Sequence, residues 1–121
     1  MEYIDFVTKI TARSERNKFA PYSGNLDFVP NEMRAFYRNS NPVHVVIGYY
    51  GVNINLCPVE ELQELQKEYE YLNVQFVFAT CNGDPIFLNS DGVYTCAHGI
   101  SEPQYEKKAS SFDEYLKSFI D

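Results

Sequence analysis

Tryptophan is absent from this chain, which has only three cysteines, two histidines and six glycines. Each scarcity excludes something. Cys57, Cys81 and Cys96 are odd in number and form no C-x-x-C pair, so no disulfide framework is expected and a reducing cytosol is the natural setting. No apolar run approaches the roughly 20 residues a helix needs to cross a bilayer. Met1-Glu2-Tyr3-Ile4-Asp5 lacks the charged-then-apolar order of a secretory leader, so a cytoplasmic protein is expected. Cations are few, 10 against 17 acidic residues, for a formal charge of −7. That charge repels nucleic acid and anionic membranes, and neither is an expected partner. It would suit a basic protein partner, or serve solubility alone. Phosphate-cradling glycine loops are missing, since Asn82-Gly83-Asp84 and Ser90-Asp91-Gly92 have neither G-x-x-x-x-G-K-[ST] nor G-x-G-x-x-G spacing. The one basic run, Arg13–Lys18, reads as a solvated helix face.

Aromatics, by contrast, are plentiful: ten Tyr and nine Phe in 121 residues. That argues for a single folded domain over residues 1–121, with a core that needs no staple. The run from Gln75 to Cys96 organises it. Three apolar, β-branched or aromatic segments are separated by Asn82-Gly83 and Asp91-Gly92, both strong hairpin dipeptides because a type I′ turn needs φ > 0 at its centre. The expectation is an antiparallel meander. Even-length loops would put Val77, Ala79, Ile86, Leu88 and Val93 on one face and Phe76, Phe78, Phe87 and Tyr94 on the other. Both faces are apolar. The aliphatic one should meet helices, and the aromatic one is either covered too or a binding surface, with coverage expected.

The remaining elements follow from periodicity. Residues 2–18 read as an amphipathic helix through Tyr3, Phe6, Val7 and Ile10, and 17–29 as a loop. Pro30 fits a first helical position, and Met33, Phe36 and Tyr37 give a stripe ending near Ser40-Asn41-Pro42. Val43–Ile47 and Tyr49–Leu56 read as paired strands turning near Tyr50-Gly51. Pro58 opens a helix with Val59, Leu62, Leu65, Tyr69 and Leu72 inward and glutamates outward. Residues 97–108 form a loop with room for one edge strand. Ser111-Phe112-Asp113-Glu114 fits a capping box for a last helix. The expected class is α+β, with about four helices packed on an antiparallel meander sheet.

No reactive constellation emerges. Cys96-Ala97-His98, with Cys81 on the neighbouring hairpin, offers thiol and imidazole, but no motif supplies an activated thiolate or an oriented base. Cys57, Cys81, Cys96 and His98 lack the paired spacing of structural zinc sites. His44 reads as a half-buried strand histidine. Asp84 and Asp91 are explained by turn chemistry and would lie at opposite ends of the middle strand, too far apart for an acid/base pair. Catalytic residues, metal and cofactor are therefore all expected to be absent, and a binder is the better reading.

Val29-Pro30, Met33, Phe36-Tyr37, Phe76-Val77-Phe78-Ala79, Asn82-Gly83-Asp84-Pro85-Ile86, Asp91-Gly92-Val93-Tyr94, His98-Gly99 and Ala109–Leu116, taken in that order, resemble the SUKH superfamily of Smi/Knr-type cell-wall-assembly regulators. The likeness spans roughly residues 29–119. The chain departs from it at Asn41-Pro42, where many members carry Asn-Gly, and in lacking tryptophan. The resemblance implies a single α+β domain without catalytic residues. Its bacterial members are mostly immunity proteins of polymorphic toxin systems, each neutralising a cognate toxin domain, while the fungal branch scaffolds cell-wall signalling. A monomeric, protein-binding immunity module is the expectation, with a regulatory module as the alternative and a small thiol or zinc enzyme third. Candidate contacts are Asp84 and Asp91 at turn tips, Tyr49 and Tyr50 at the strand turn, and Glu102, Tyr105 and Glu106 in the late loop.

Overall fold

A computed structural model describes residues 2–121. Four helices, α1 (Ile4–Arg13), α2 (Asn31–Ser40), α3 (Val59–Glu68) and α4 (Phe112–Lys117), accompany seven strands: β1 (Lys18–Ala20), β2 (Asn41–Tyr49), β3 (Val52–Leu56), β4 (Phe76–Cys81), β5 (Asp84–Asn89), β6 (Gly92–Thr95) and β7 (Glu106–Ala109). All strands pair antiparallel, and their order across the sheet is their order along the chain. The chain is thus an α+β domain, as its patterning implied.

The expected elements are present, with shifted ends. α1 stops at Arg13 rather than reaching residue 18, and the stretch expected to be loop contains β1. Three residues are too few to show an alternation, and Lys18 and Phe19 take their strand form from β2. Pro30 and Pro58 each stand one position before their helix with extended ψ, as caps rather than first helical residues. Ser111 caps α4 by accepting from the Glu114 N–H at 3.1 Å. The Glu114 carboxylate reaches back to the Ser110 N–H, one residue earlier than a capping box places it.

Both turns of the meander close with even loops: Cys81 pairs with Asp84, and Asn89 with Gly92. The face assignment nevertheless needs correcting. β4 carries an extra residue, because Val77 faces Phe87 while Ala79 faces Ile86. One extra residue inverts a period of two. Phe76 therefore joins Ala79, Ile86, Leu88 and Val93, while Val77 joins Phe87 and Tyr94. Phe78 turns to α4, edge-on to Phe112 at 5.2 Å and Tyr115 at 5.8 Å. On that face α1, α2 and α4 bring Phe6, Phe36 and Phe112 into one aromatic cluster with Tyr3 and Phe19. The opposite face is covered as well, by Tyr105 edge-on to Phe87 at 5.1 Å and by the segment that follows α3.

Side-chain amides complete the sheet where strands run out. Gln66 of α3 accepts from the Val77 N–H at 2.8 Å and donates to the Val77 carbonyl at 2.7 Å, taking the place of a neighbour beyond the end of β3. Buried Asn17 accepts from the Val46 N–H, past the last pairing of β1, and donates to the Ile10 carbonyl. Buried Asn41 accepts from the Val59 N–H at 2.9 Å and donates to Glu60, starting α3 from the far end of α2. Each satisfies backbone groups that water cannot reach.

Candidate interaction surface

Strand directions decide which candidate residues meet. β2 and β4 end, and β3 and β5 begin, at the same end of the sheet, as do the 96–105 segment and the C-terminal end of α4. Tyr49, Tyr50, Asp84, Glu102, Tyr105 and Glu106 therefore gather at one end. Asp91 lies at the other, across the length of β5, where its carboxylate accepts from the Tyr94 hydroxyl at 2.8 Å.

Tyr50-Gly51 forms a two-residue turn between Tyr49 and Val52 with φ of +48° and +82°. That is the positive-φ pattern of a type I′ hairpin, for which Asn-Gly is the favoured pair. A tyrosine here carries backbone strain of order 1 kcal/mol, yet its ring is 90% exposed. The ring leans on Tyr49 at 4.5 Å, and Tyr49 in turn on Phe119 at 5.2 Å. A strained position holding an exposed aromatic is where a local rule has given way to something other than folding.

Around Asp84 the arrangement is more ordered than a turn tip requires. One oxygen of its carboxylate lies 2.6 Å from His98 Nδ1 and also accepts the His98 N–H at 3.0 Å. The Tyr71 hydroxyl accepts from the Gly99 N–H at 2.9 Å, and the Tyr69 hydroxyl donates to the Gly83 carbonyl at 2.5 Å. These contacts fasten the 96–105 segment to the β4–β5 turn and to the end of α3. The sequence offered His98 beside Cys96, as a zinc-ligand candidate and in the His98-Gly99 motif, but not as a partner of Asp84; that partner, 14 residues away, leaves no local signal. Exposed Tyr71, Ile100 and Tyr105 stand beside this network. Burial raises the Tyr69 hydroxyl, with Glu68, Tyr71 and Asp84 adding to it, which places these acidic groups about the same corner. The outer face of α3 continues the acidity with exposed Glu60, Glu61, Glu64 and Glu68, of which Lys67 pairs with Glu64, at 3.2 Å. Glu102 is exposed, and Glu106 pairs with Lys108 at 3.5 Å.

Three of the arginines bond to backbone carbonyls rather than to these carboxylates. Arg13 donates to the Phe119 carbonyl, Arg34 to those of Val29 and Asp27, and Arg38 to those of Tyr22 and Gly24. Two of the three thiols are held in their protonated form. Burial, reinforced by Glu61, Glu68 and Glu60, pushes Cys57 up to about 12, and burial with Asp84 raises Cys96, so both stay protonated at neutral pH. Among the described residues no three His, Cys, Asp or Glu side chains come together as a metal site. No described helix is long and apolar enough to cross a membrane.

No protein-family model matches the chain, and neither a curated protein nor a solved structure does so.

Proposed function

We propose that this chain is a non-enzymatic immunity protein of the SUKH type, which binds a basic toxin domain and blocks its substrate site. The observation that carries the reading is the end of the sheet where Tyr71, Ile100 and Tyr105 stand exposed among Glu68, Asp84 and Glu102, with Tyr50 exposed at the β2–β3 turn of the same end beside Arg13 and Arg16. Tyrosines give rigid contact area at low entropic cost, and carboxylates steer and orient a cationic partner. The pinned 96–105 segment presents Ile100, Glu102 and Tyr105 in a fixed arrangement, which lowers the ordering cost of association. The four-helix, antiparallel α+β frame agrees with the order of motifs that suggested the superfamily.

The test is to identify a toxin-like domain encoded beside this gene, which the proposal requires, and to titrate it against the chain by calorimetry. A one-to-one complex is expected, losing at least ten-fold in affinity as salt is raised from low to several-fold physiological strength. Tyr71→Ala and Tyr105→Ala should each weaken it by more than 1 kcal/mol if they are central contacts. Binding no tighter than that of an unrelated basic protein would overturn the proposal.

A further inference from the structure

The outer edge of β2 is only half covered. Tyr49 pairs with Val52 across a two-residue turn, so the backbone groups of Val45 and Ile47 point to β3 and those of Val46 and Gly48 point away from it. Two of these outward groups are engaged. The Val46 N–H donates to Asn17 at 3.0 Å, and the Gly48 carbonyl lies 3.5 Å from Arg13 Nη1. β1 pairs no further along β2 than His44. The Val46 carbonyl and the Gly48 N–H therefore meet no described residue, and Gly48 is exposed. One residue of a parallel strand bonds such a pair, its N–H to the carbonyl and its carbonyl to the N–H. A second copy of this chain, set antiparallel on the same edge, would also need the two groups that Asn17 and Arg13 hold, and would bring arginine against arginine.

A groove of about 810 Å³ runs along this edge, between it and the ends of α1 and α4. That is within the range of about 300–1,000 Å³ usual for ligand sites. Its charge is opposite to that of a chain at −7. Arg13, Arg16 and His44 line it, with Asp121 as the one carboxylate side chain among the lining residues. Exposed Lys18 stands opposite His44 in the register. Among the described residues, the side chains of Arg16 and Lys18 make no ion pair or hydrogen bond, so their charge is open to a ligand.

We propose that the β2 edge takes up an extended acidic peptide running parallel to β2. One of its residues bonds the Val46 carbonyl and the Gly48 N–H, and flanking carboxylates meet Arg13 and Arg16. The site is independent of the toxin-binding reading, which rests on the acidic corner around Asp84 and on a cationic partner.

The probe is acetyl-Glu-Val-Asp-Val-Glu-amide, followed through the Gly48 amide signal of the whole chain by NMR. A saturable downfield shift of that proton is expected. The same peptide N-methylated at every residue keeps its charges but has no donor for the Val46 carbonyl, and should bind at least about five-fold more weakly. A peptide with lysine at each acidic position should give no saturable shift. Arg16→Gln should weaken the acidic peptide roughly three-fold and leave thermal melts unchanged. Absence of a saturable shift, equal binding of the lysine or the N-methylated peptide, or an equal shift with inorganic phosphate would each overturn the proposal. So would a Gly48 shift that grows with protein concentration without peptide, which would put a second copy on the edge.

Discussion

Replacing Gln66 with alanine removes three hydrogen bonds at once: from the Val77 N–H at 2.8 Å, to the Val77 carbonyl at 2.7 Å and to the Leu62 carbonyl at 2.8 Å. Val77 is 1% exposed, so water does not take the vacant places without opening the sheet. A net contribution of about 0.5–1.5 kcal/mol for each bond, with the penalty for a stranded buried donor, gives a loss of about 3 kcal/mol. For a domain of this size that is a large part of the whole stability. Urea unfolding followed by far-ultraviolet circular dichroism measures it, and the m-value should not change. Gln66→Glu separates the parts. The carboxylate still accepts from the Val77 N–H but cannot donate to the carbonyl, so near neutral pH it should cost at least as much as alanine. Gln63→Ala, an exposed change on the same helix, should stay within about 0.5 kcal/mol. If Gln66→Ala also stays within that range, the idea that one amide replaces a missing strand neighbour is wrong.

Other outcomes follow from the same geometry. Gly92→Ala should destabilise by about 3 kcal/mol, because φ is +148° and a Cβ would sit 2.3 Å from the Ala109 carbonyl oxygen; thermal melts check this. Tyr50→Asn should leave stability within about 1 kcal/mol, since relief of backbone strain offsets the lost ring contact. The same change should lower partner affinity, and melting and calorimetry on one sample separate the two effects. Burial raises Tyr37, Tyr115 and Cys57 above their ordinary values. Because these acids lose protons first in the unfolded chain, stability should hold below about pH 9 and fall as pH climbs further. Tyrosinate absorbance should rise together with loss of structure rather than before it.

Much of the fold was readable because its strongest elements are locally determined. The α3 stripe of Val59, Leu62 and Leu65 (which ends before the expected Tyr69 and Leu72), the Ser111 cap and the Asn82-Gly83 turn are each specified by residues a few positions apart. What escaped is what neighbours impose. β1 exists because β2 offers an edge, and the bulge at Phe78 exists because that ring packs on Phe112. Tyr50 turns the chain without the expected dipeptide, since Gly51 alone supplies half of the required geometry. Of the candidate contacts, six share one end of the sheet. Asp91 does not, which its place after β5 already implied. His98 and Tyr71 belong to that end through long-range bonds to Asp84 and Gly99 that no local spacing encodes.

Every strand lies beside its neighbours in the chain, and no connection crosses over another strand. The search during folding is therefore mostly local: a ribbon can lengthen one hairpin at a time, on the microsecond scale typical of hairpin closure. The two long excursions between adjacent strands run through α2, from Ala20 to Asn41, and through α3, from Leu56 to Phe76. Closing these loops, the second with Gln66 finding Val77, is the step on which the speed of assembly should depend most.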